Sequence, residues 1–171
     1  MKRWIWVPVG IILVVSLLVL LLARGHGLPQ PMGEGFINST FGPGEVLPTS
    51  GYLSVSQGQL VVHEVRGDSV NTTPALLGVI YQAYMINRGY VEYVNGSDYH
   101  FYLVVLLLNP SQVVSSNYTQ VMNETNTTLI IVHRGFAEAD FTFYGHQLSL
   151  AQEMEVVSYL SGYLERVQST L

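Results

Sequence analysis

The hydrophobic pattern of the chain opens with residues 4–23 (WIWVPVGIILVVSLLVLLLA), a run that contains no charged side chain. A helix rises about 1.5 Å per residue, so this run spans about 30 Å, the thickness of a bilayer hydrocarbon core. Lys2 and Arg3 precede it, and the positive-inside bias would hold them in the cytoplasm. We therefore predict that residues 1–24 form a signal anchor with one transmembrane helix, and that the rest of the chain is extracytoplasmic.

A cleavable signal peptide is the alternative for this segment. Signal peptides have an apolar stretch of about 7–15 residues followed by small residues at the cleavage site. Ala23 and Gly25 are small, but Arg24 lies between them. Trp4 and Trp6 lie where an interfacial aromatic belt is expected. A retained anchor is the favoured interpretation, and both interpretations export the same domain.

The polar pattern changes twice after the anchor. Residues 25–50 are rich in Gly and Pro and show no apolar periodicity, which predicts an extended stalk. An extracytoplasmic domain is expected over residues 51–171. It begins with two strand-like segments, 52–56 and 59–65, joined by a hairpin turn at 57–58.

Three segments show helical spacing. The first, residues 71–89, has an N-cap signal, a proline in its first turn and a glycine stop. The second is residues 111–122. The third runs from about 149 to 169 and opens with a capping box made by Ser149 and Gln152.

Buried strands alternate with these helices. Residues 101–108 (FYLVVLLL) are apolar on both faces, which is typical of a largely parallel sheet covered by helices. Residues 128–133 and 140–144 are two further strands, and a short one is expected at 90–94. We predict the α/β or α+β class, with a single mixed, helix-covered sheet. Adjacent central strands should carry Val104, Leu106, Leu129 and Ile131.

Asn-x-Ser/Thr triplets are unusually frequent. Six of the eight asparagines begin one, whereas a Ser and Thr content of roughly one residue in seven predicts about one. Such triplets accept glycans only on an extracytoplasmic surface. They therefore support export and predict glycosylation at Asn38, Asn71, Asn95, Asn117, Asn123 and Asn126.

Composition narrows the setting and the partners. The chain has no cysteine and only 11% charged residues, against about 25% in an ordinary domain. A charge-poor, sugar-coated surface without disulfides favours an archaeal cell-surface protein in an acidic habitat. The net charge of −5 includes no basic cluster, so nucleic-acid binding is disfavoured.

The candidate ligand-binding residues follow two predicted strands or lie close to them. Ligands of open α/β sheets bind beyond the carboxyl ends of the strands. A histidine, an arginine and two carboxylates there could bind an anion, a sugar or a metal ion. The alternative, which we favour, is a locally bonded His133 and an ion pair between Arg134 and Glu138. The candidates are Asn109, Ser111, His133, Arg134, Glu138 and Asp140.

The middle of the chain resembles a known family. Over residues 74–135, PALLGVIYQAYMINRGY leads to YLVVLLLNP, then to a Ser-rich segment and TTLIIVHRG. This order is similar to uncharacterised membrane-anchored prokaryotic domains with a glutamine-amidotransferase-like α/β fold. Residues 126–129 (NTTL) replace the Gly-Gly-Thr-Leu type entry of that family. The resemblance implies a doubly wound fold without the nucleophilic cysteine of true amidotransferases.

Three functions fit these patterns. The first is a glycosylated, membrane-anchored accessory or interaction subunit, without catalysis, that docks on a protein partner in an envelope or membrane complex. The second is a sugar-binding, anion-binding or hydrolytic domain that uses the cluster around His133. The third is a filament or envelope subunit that assembles through strand edges. We assign no catalytic residue, metal ligand or cofactor.

Overall fold

A computed structural model describes residues 28–56, 59–64, 69–71 and 85–169, with side chains for 28–54 and 85–169. The membrane span predicted at residues 4–23 lies outside these ranges, and no helix within them is long and apolar enough to cross a bilayer. The described elements are α1 (Glu34–Phe41), β1 (Gly44–Val46), β2 (Gly51–Ser56), β3 (Gln59–Glu64), β4 (Ser69–Asn71), β5 (Ile86–Gly96), β6 (His100–Leu108), β7 (Ser116–Glu124), β8 (Thr127–Gly135), β9 (Ala137–Tyr144) and α2 (Leu150–Gln168).

The described strands form one nine-stranded sheet in the order β4-β3-β2-β5-β6-β9-β8-β7, and β1 pairs with the end of β5. All eight strand pairings are antiparallel. The prediction of a single sheet with helices is confirmed. The prediction that the sheet is mixed is wrong, because every described pairing is antiparallel, and a doubly wound fold would need parallel pairings. The reason lies in the connections, since tight turns such as those of β5–β6, β7–β8 and β8–β9 permit only antiparallel pairing.

β6 confirms the strand predicted from its apolar run. Leu103 and Val105 point to one face of the sheet and Val104 and Leu106 to the other, and all four are buried. The face with Leu103 and Val105 packs against α2, and we call it the near face. The opposite face, with Val104 and Leu106, is the far face.

The neighbours of β6 differ from those expected. Val104 of β6 and Ile131 of β8 both pair with Asp140 of β9, from opposite sides. The predicted adjacency of Val104 and Leu106 to the β8 strand is therefore wrong. β9 lies between the two, paired with β8 across a one-residue turn on one side and with β6 on the other.

Helix α2 covers the near face and follows the sequence pattern closely. The Ser149 hydroxyl accepts a hydrogen bond from the Gln152 backbone N–H, and the Gln152 side chain accepts one from the Ser149 N–H, which confirms the capping box. The predicted stripe of Val156, Leu160, Tyr163 and Val167 is buried. These side chains face Ile130, Phe141 and Phe143 in one core.

Residues 28–50 are not the extended stalk that their composition predicts. Leu28, Met32 and Ile37 are buried in the near-face core. Glu92 of β5 fixes this segment, because its Oε2 accepts from the Met32 N–H at 2.9 Å and its Oε1 accepts from the Gln30 amide at 2.7 Å. The segment therefore packs as part of the domain.

Two predicted helices have other outcomes. The helix predicted at residues 111–122 is wrong, because 116–124 form the edge strand β7, paired with β8. Most of the helix predicted at 71–89 lies outside the described residues. Its predicted stop, Gly89, lies within β5, where a Cβ would come 2.6 Å from the Val105 carbonyl oxygen. The glycine therefore serves close strand packing and not a helix end.

Candidate functional site

The antiparallel register brings three of the predicted site residues together on the far face. His133 of β8 pairs directly with Glu138 of β9, and Asp140 follows two residues after Glu138 on the same face. Only 5% of His133 and 4% of Glu138 are exposed. This placement makes a buried acidic cluster beside a histidine, on the rigid centre of the sheet.

Local hydrogen bonds close the surroundings of His133. Its Nδ1 lies 2.9 Å from the Ser116 carbonyl oxygen and 3.2 Å from the Ser116 hydroxyl. Its Nε2 lies 3.9 Å from Glu138 Oε2. The Tyr118 hydroxyl donates to that same oxygen at 2.8 Å, and the Tyr118 ring stacks on the imidazole.

The order Ser116, His133, Glu138 does not make a catalytic relay. A neutral imidazole carries one N–H, and the Ser116 carbonyl can only accept, so the proton belongs on Nδ1. An Nδ1 that donates to this carbonyl cannot accept the Ser116 hydroxyl proton. The 3.9 Å gap at Nε2 is also too long for a hydrogen bond with Glu138. The contacts of His133 with Ser116, Tyr118 and Glu138 therefore connect β7, β8 and β9 and do not form a catalytic relay.

Asp140 is different, because part of its carboxyl is unsatisfied. Its Oδ1 is buried and has no hydrogen-bond partner among the described residues. Burial, and then the charge of Glu138, raise the pKa of Asp140 to about 7. A buried carboxyl oxygen without a donor carries a free-energy cost. Asp140 as a whole is only partly buried and lines a cavity, so its carboxyl group, though not the buried Oδ1, faces a space that a ligand could enter.

A cavity of about 470 Å³ opens on the far face next to Asp140. This volume lies in the range of about 300–1,000 Å³ that is typical of small-molecule sites. β6, β9, β8 and β7 all contribute to its wall. The lining residues are Tyr102, Val104, Met122, Glu124, Thr127, Leu129, Ile131, Asp140, Thr142 and Tyr144.

The other predicted site residues lie elsewhere. Arg134 points to the near face, where its guanidinium donates to Ser161 Oγ at 2.9 Å. It cannot form the ion pair considered with Glu138, which points to the far face. Asn109 and Ser111 bond to each other in a turn after β6, since Asn109 Oδ1 accepts from the Ser111 hydroxyl at 2.8 Å.

Sequence reasoning missed the residues that complete the cavity and its surroundings. Tyr118 and Met122 lie in β7, where Tyr118 and Val121 fit the helical spacing that predicts a helix. Residues 116–124 show no apolar alternation, because all nine are exposed, so the sequence carries no strand signal there.

The sequon asparagines of the described side chains lie at the surface. Asn117 lies in the predicted helix 111–122, but the structure places it, exposed, in strand β7. Asn123 is exposed too, but its amide donates to Glu153 Oε1 at 2.7 Å and its Oδ1 accepts from Thr128 Oγ1 at 2.7 Å. The exposed sequon positions are Asn38, Asn95, Asn117, Asn123 and Asn126.

Glycan mapping tests this arrangement. We expect occupancy at Asn38, Asn95, Asn117 and Asn126, and lower occupancy at Asn123, because attachment there requires its amide to leave Glu153. Site-specific mass spectrometry of protein from the native host measures each position. The variant Glu153→Ala, which frees the Asn123 amide, should raise occupancy at that position. An unmodified chain, or full occupancy at Asn123 alone, would contradict the prediction.

Comparisons of this chain with protein-family models, with curated proteins and with solved structures found no match.

Proposed function

We propose that this chain is a membrane-anchored, extracytoplasmic binding subunit that takes a small ligand in its far-face cavity, without catalysing a reaction. The observation that carries the proposal is the cavity itself, with the partly buried carboxyl group of Asp140 at its wall. A binding site needs a shaped, partly apolar recess and a few placed polar groups. This recess offers both on strands held in register.

Binding is favoured over hydrolysis by the state of the His133 group. A general base needs a free lone pair within reach of the proton that it takes. The imidazole nitrogen next to the Ser116 hydroxyl also faces the Ser116 carbonyl. Since a carbonyl oxygen can only accept, this nitrogen carries the N–H of the neutral ring and has no free lone pair for the hydroxyl proton. The cluster therefore supports the shape of the sheet beside the cavity.

The location rests on the sequence. The apolar run of residues 4–23 supports attachment to the bilayer, and the sequons support display outside the cell. We propose that the domain belongs to an envelope or membrane complex, as an accessory subunit with a protein partner. The composition favours an archaeal source.

A structural role in filaments has one feature in its favour. β7 lies at the end of the sheet order, and Tyr118, Val121 and Met122 are exposed there. Exposed edge strands can pair with another chain. The sequons at Asn117 and Asn123 lie on this same strand, however, and glycans there would oppose strand addition. Binding in the cavity is therefore the stronger proposal.

Filling the cavity tests the proposal. Met122 lines it, so Met122→Trp should block ligand entry. Met154→Trp is the matched control, because Met154 is exposed on α2. We expect the full chain in detergent to bind at least one of choline, glucose and inorganic phosphate saturably by ligand-observed NMR. That binding should be lost in Met122→Trp and kept in Met154→Trp.

Two outcomes would contradict the proposal. One is that none of the three probes binds the folded chain at millimolar concentration. The other is that Met122→Trp, with an unchanged melting temperature, binds as well as Met154→Trp. Either result would mean that the cavity is not a ligand site.

A further inference from the structure

We infer that the far-face cavity takes a small organic cation, such as an alkylammonium or quaternary ammonium group. The inference rests on the proposed function, because it names the ligand class of the same cavity. Three features of the wall carry it: the sign of its charges, its aromatic rings and the carboxyl group of Asp140.

Both charged side chains that line the cavity, among the residues whose side chains are described, are carboxyl groups. Asp140 and Glu124 line the cavity, and none of the ten lining residues is Lys, Arg or His. Glu138 lies beside Asp140 and adds to the negative potential. Arg134, the nearest arginine in β8, points to the near face and bonds to Ser161. This potential disfavours an anion and attracts a cation.

Two tyrosines give the wall an aromatic corner. The rings of Tyr102 and Tyr144 lie 6.0 Å apart, tilted by 37°. The faces of aromatic rings attract cations within about 6 Å of the ring centre, and quaternary ammonium groups are bound in this way. The apolar side chains of Leu129 and Met122 match the methyl groups of such a ligand.

Asp140 supplies the counter-charge. Its Oδ1 lacks a hydrogen-bond partner among the residues that the structure describes. An ammonium ion in the cavity would pair with the carboxyl group of Asp140 where it lines the wall, and it would favour the ionised carboxylate. Among the described side chains, the titratable groups on the strands around Asp140 are Tyr102 of β6, Tyr118 and Glu124 of β7, His133 of β8, and Glu138 and Tyr144 of β9.

The ionisation of Asp140 gives the site a pH dependence. Since the pKa of Asp140 is raised to about 7, this carboxyl is mostly neutral at pH 5 and mostly ionised at pH 8. A cation binds the ionised form, so its affinity should fall as the pH is lowered. A neutral sugar has no charge to lose and should depend on pH much less.

Titration of the full chain in detergent with choline tests the inference. We expect saturable binding at pH 8 and at least tenfold weaker binding at pH 5. Asp140→Asn should weaken binding at pH 8 at least tenfold, while Glu155→Gln, on the exposed surface of α2, should not change it. Tyr144→Leu should weaken binding and Tyr144→Phe should retain it, which separates the aromatic face from the hydroxyl group.

The outcomes separate this inference from the proposed function. If the wild-type chain binds glucose or phosphate, Met122→Trp loses that binding, and choline does not bind, then the cation inference is wrong and the proposed binding function stands. If choline binds equally well to Asp140→Asn and at pH 5, the inference is wrong as well. If no probe binds, the proposed function itself fails.

Discussion

Lowering the pH from 8 to 5 is expected to stabilise this domain against unfolding, which is the reverse of ordinary acid destabilisation. The main cause is Glu92, whose side chain is 0% exposed in the near-face core. Burial raises the pKa of Glu92 from 4.5 to about 7, and the hydrogen bonds from Met32 and Gln30 only partly oppose this. Asp140 on the far face has its pKa raised in the same direction.

The sign follows from proton uptake. In the unfolded chain Glu92 loses its proton near its ordinary pKa, while in the folded domain it keeps the proton up to about pH 7. Between these values the folded state binds more protons, so the free energy of unfolding falls as the pH rises. At about 1.4 kcal/mol per pKa unit, Glu92 contributes about 3 kcal/mol that is present below pH 4.5 and lost above pH 7.

Denaturant unfolding of the full chain in detergent at pH 5 and pH 8 measures the effect. Glu92→Gln is neutral at all pH values, so it should flatten the pH dependence. Its amide has one acceptor oxygen in place of two, so it loses the bond from either Met32 or Gln30, and the test is the slope with pH and not the absolute stability. Glu155→Gln on the exposed face of α2 is the control and should keep the wild-type slope. A wild-type protein that is more stable at pH 8 than at pH 5 would contradict the prediction.

The same carboxyl group explains why the sequence did not reveal the role of residues 28–50. Gly and Pro in that stretch indicate an extended chain, and local patterns do not report a bond between Met32 and Glu92, which lie 60 residues apart. The segment is ordered by a distant, buried acceptor. Only the folded sheet brings that acceptor to the Met32 N–H.

Local patterns did identify strand β6 and the last helix. The run 101–108 and the capping box at Ser149 each gave the correct element, because burial on two faces and a closed cap are local properties. The strand direction was wrong because burial on both faces reports only that both faces are covered. An antiparallel strand that is covered twice has the same pattern as a parallel one.

The candidate site was predictable in part for a related reason. β6 and β8 run in the same direction because each pairs antiparallel with β9. The argument from strand ends placed the candidates at the carboxyl ends of β6 and β8, whereas these two strands line the cavity with residues 102–104 and 127–131, nearer their amino ends. Of the candidates, Asp140 is the one that lines the cavity. Which of these residues share a face depends on the strand register. Because neighbouring residues of a strand point to opposite faces, Arg134 lies on the near face and His133 on the far face.

Introducing a charge at Leu106 is expected to abolish folding. Leu106 is 1% exposed on the far face of β6, where its strand partners are Gly89 of β5 and Glu138 of β9. In Leu106→Asp, a carboxylate replaces packed methyl groups and faces the buried Glu138. Burying an unpaired charge costs several kcal/mol, against a total stability of about 5–15 kcal/mol for a domain.

Two variants make this result specific to the core strand. Val114→Asp introduces the same charge at a side chain that is 89% exposed, and it should change the free energy of unfolding by less than about 0.5 kcal/mol. His133→Ala should stay folded, because it removes a local network and leaves the strand apolar. Circular dichroism and denaturant unfolding of the three purified proteins give the comparison. If Leu106→Asp unfolds at the same denaturant concentration as wild type, β6 is not a central strand. The cavity wall that β6 contributes through Tyr102 and Val104 would then be wrong as well.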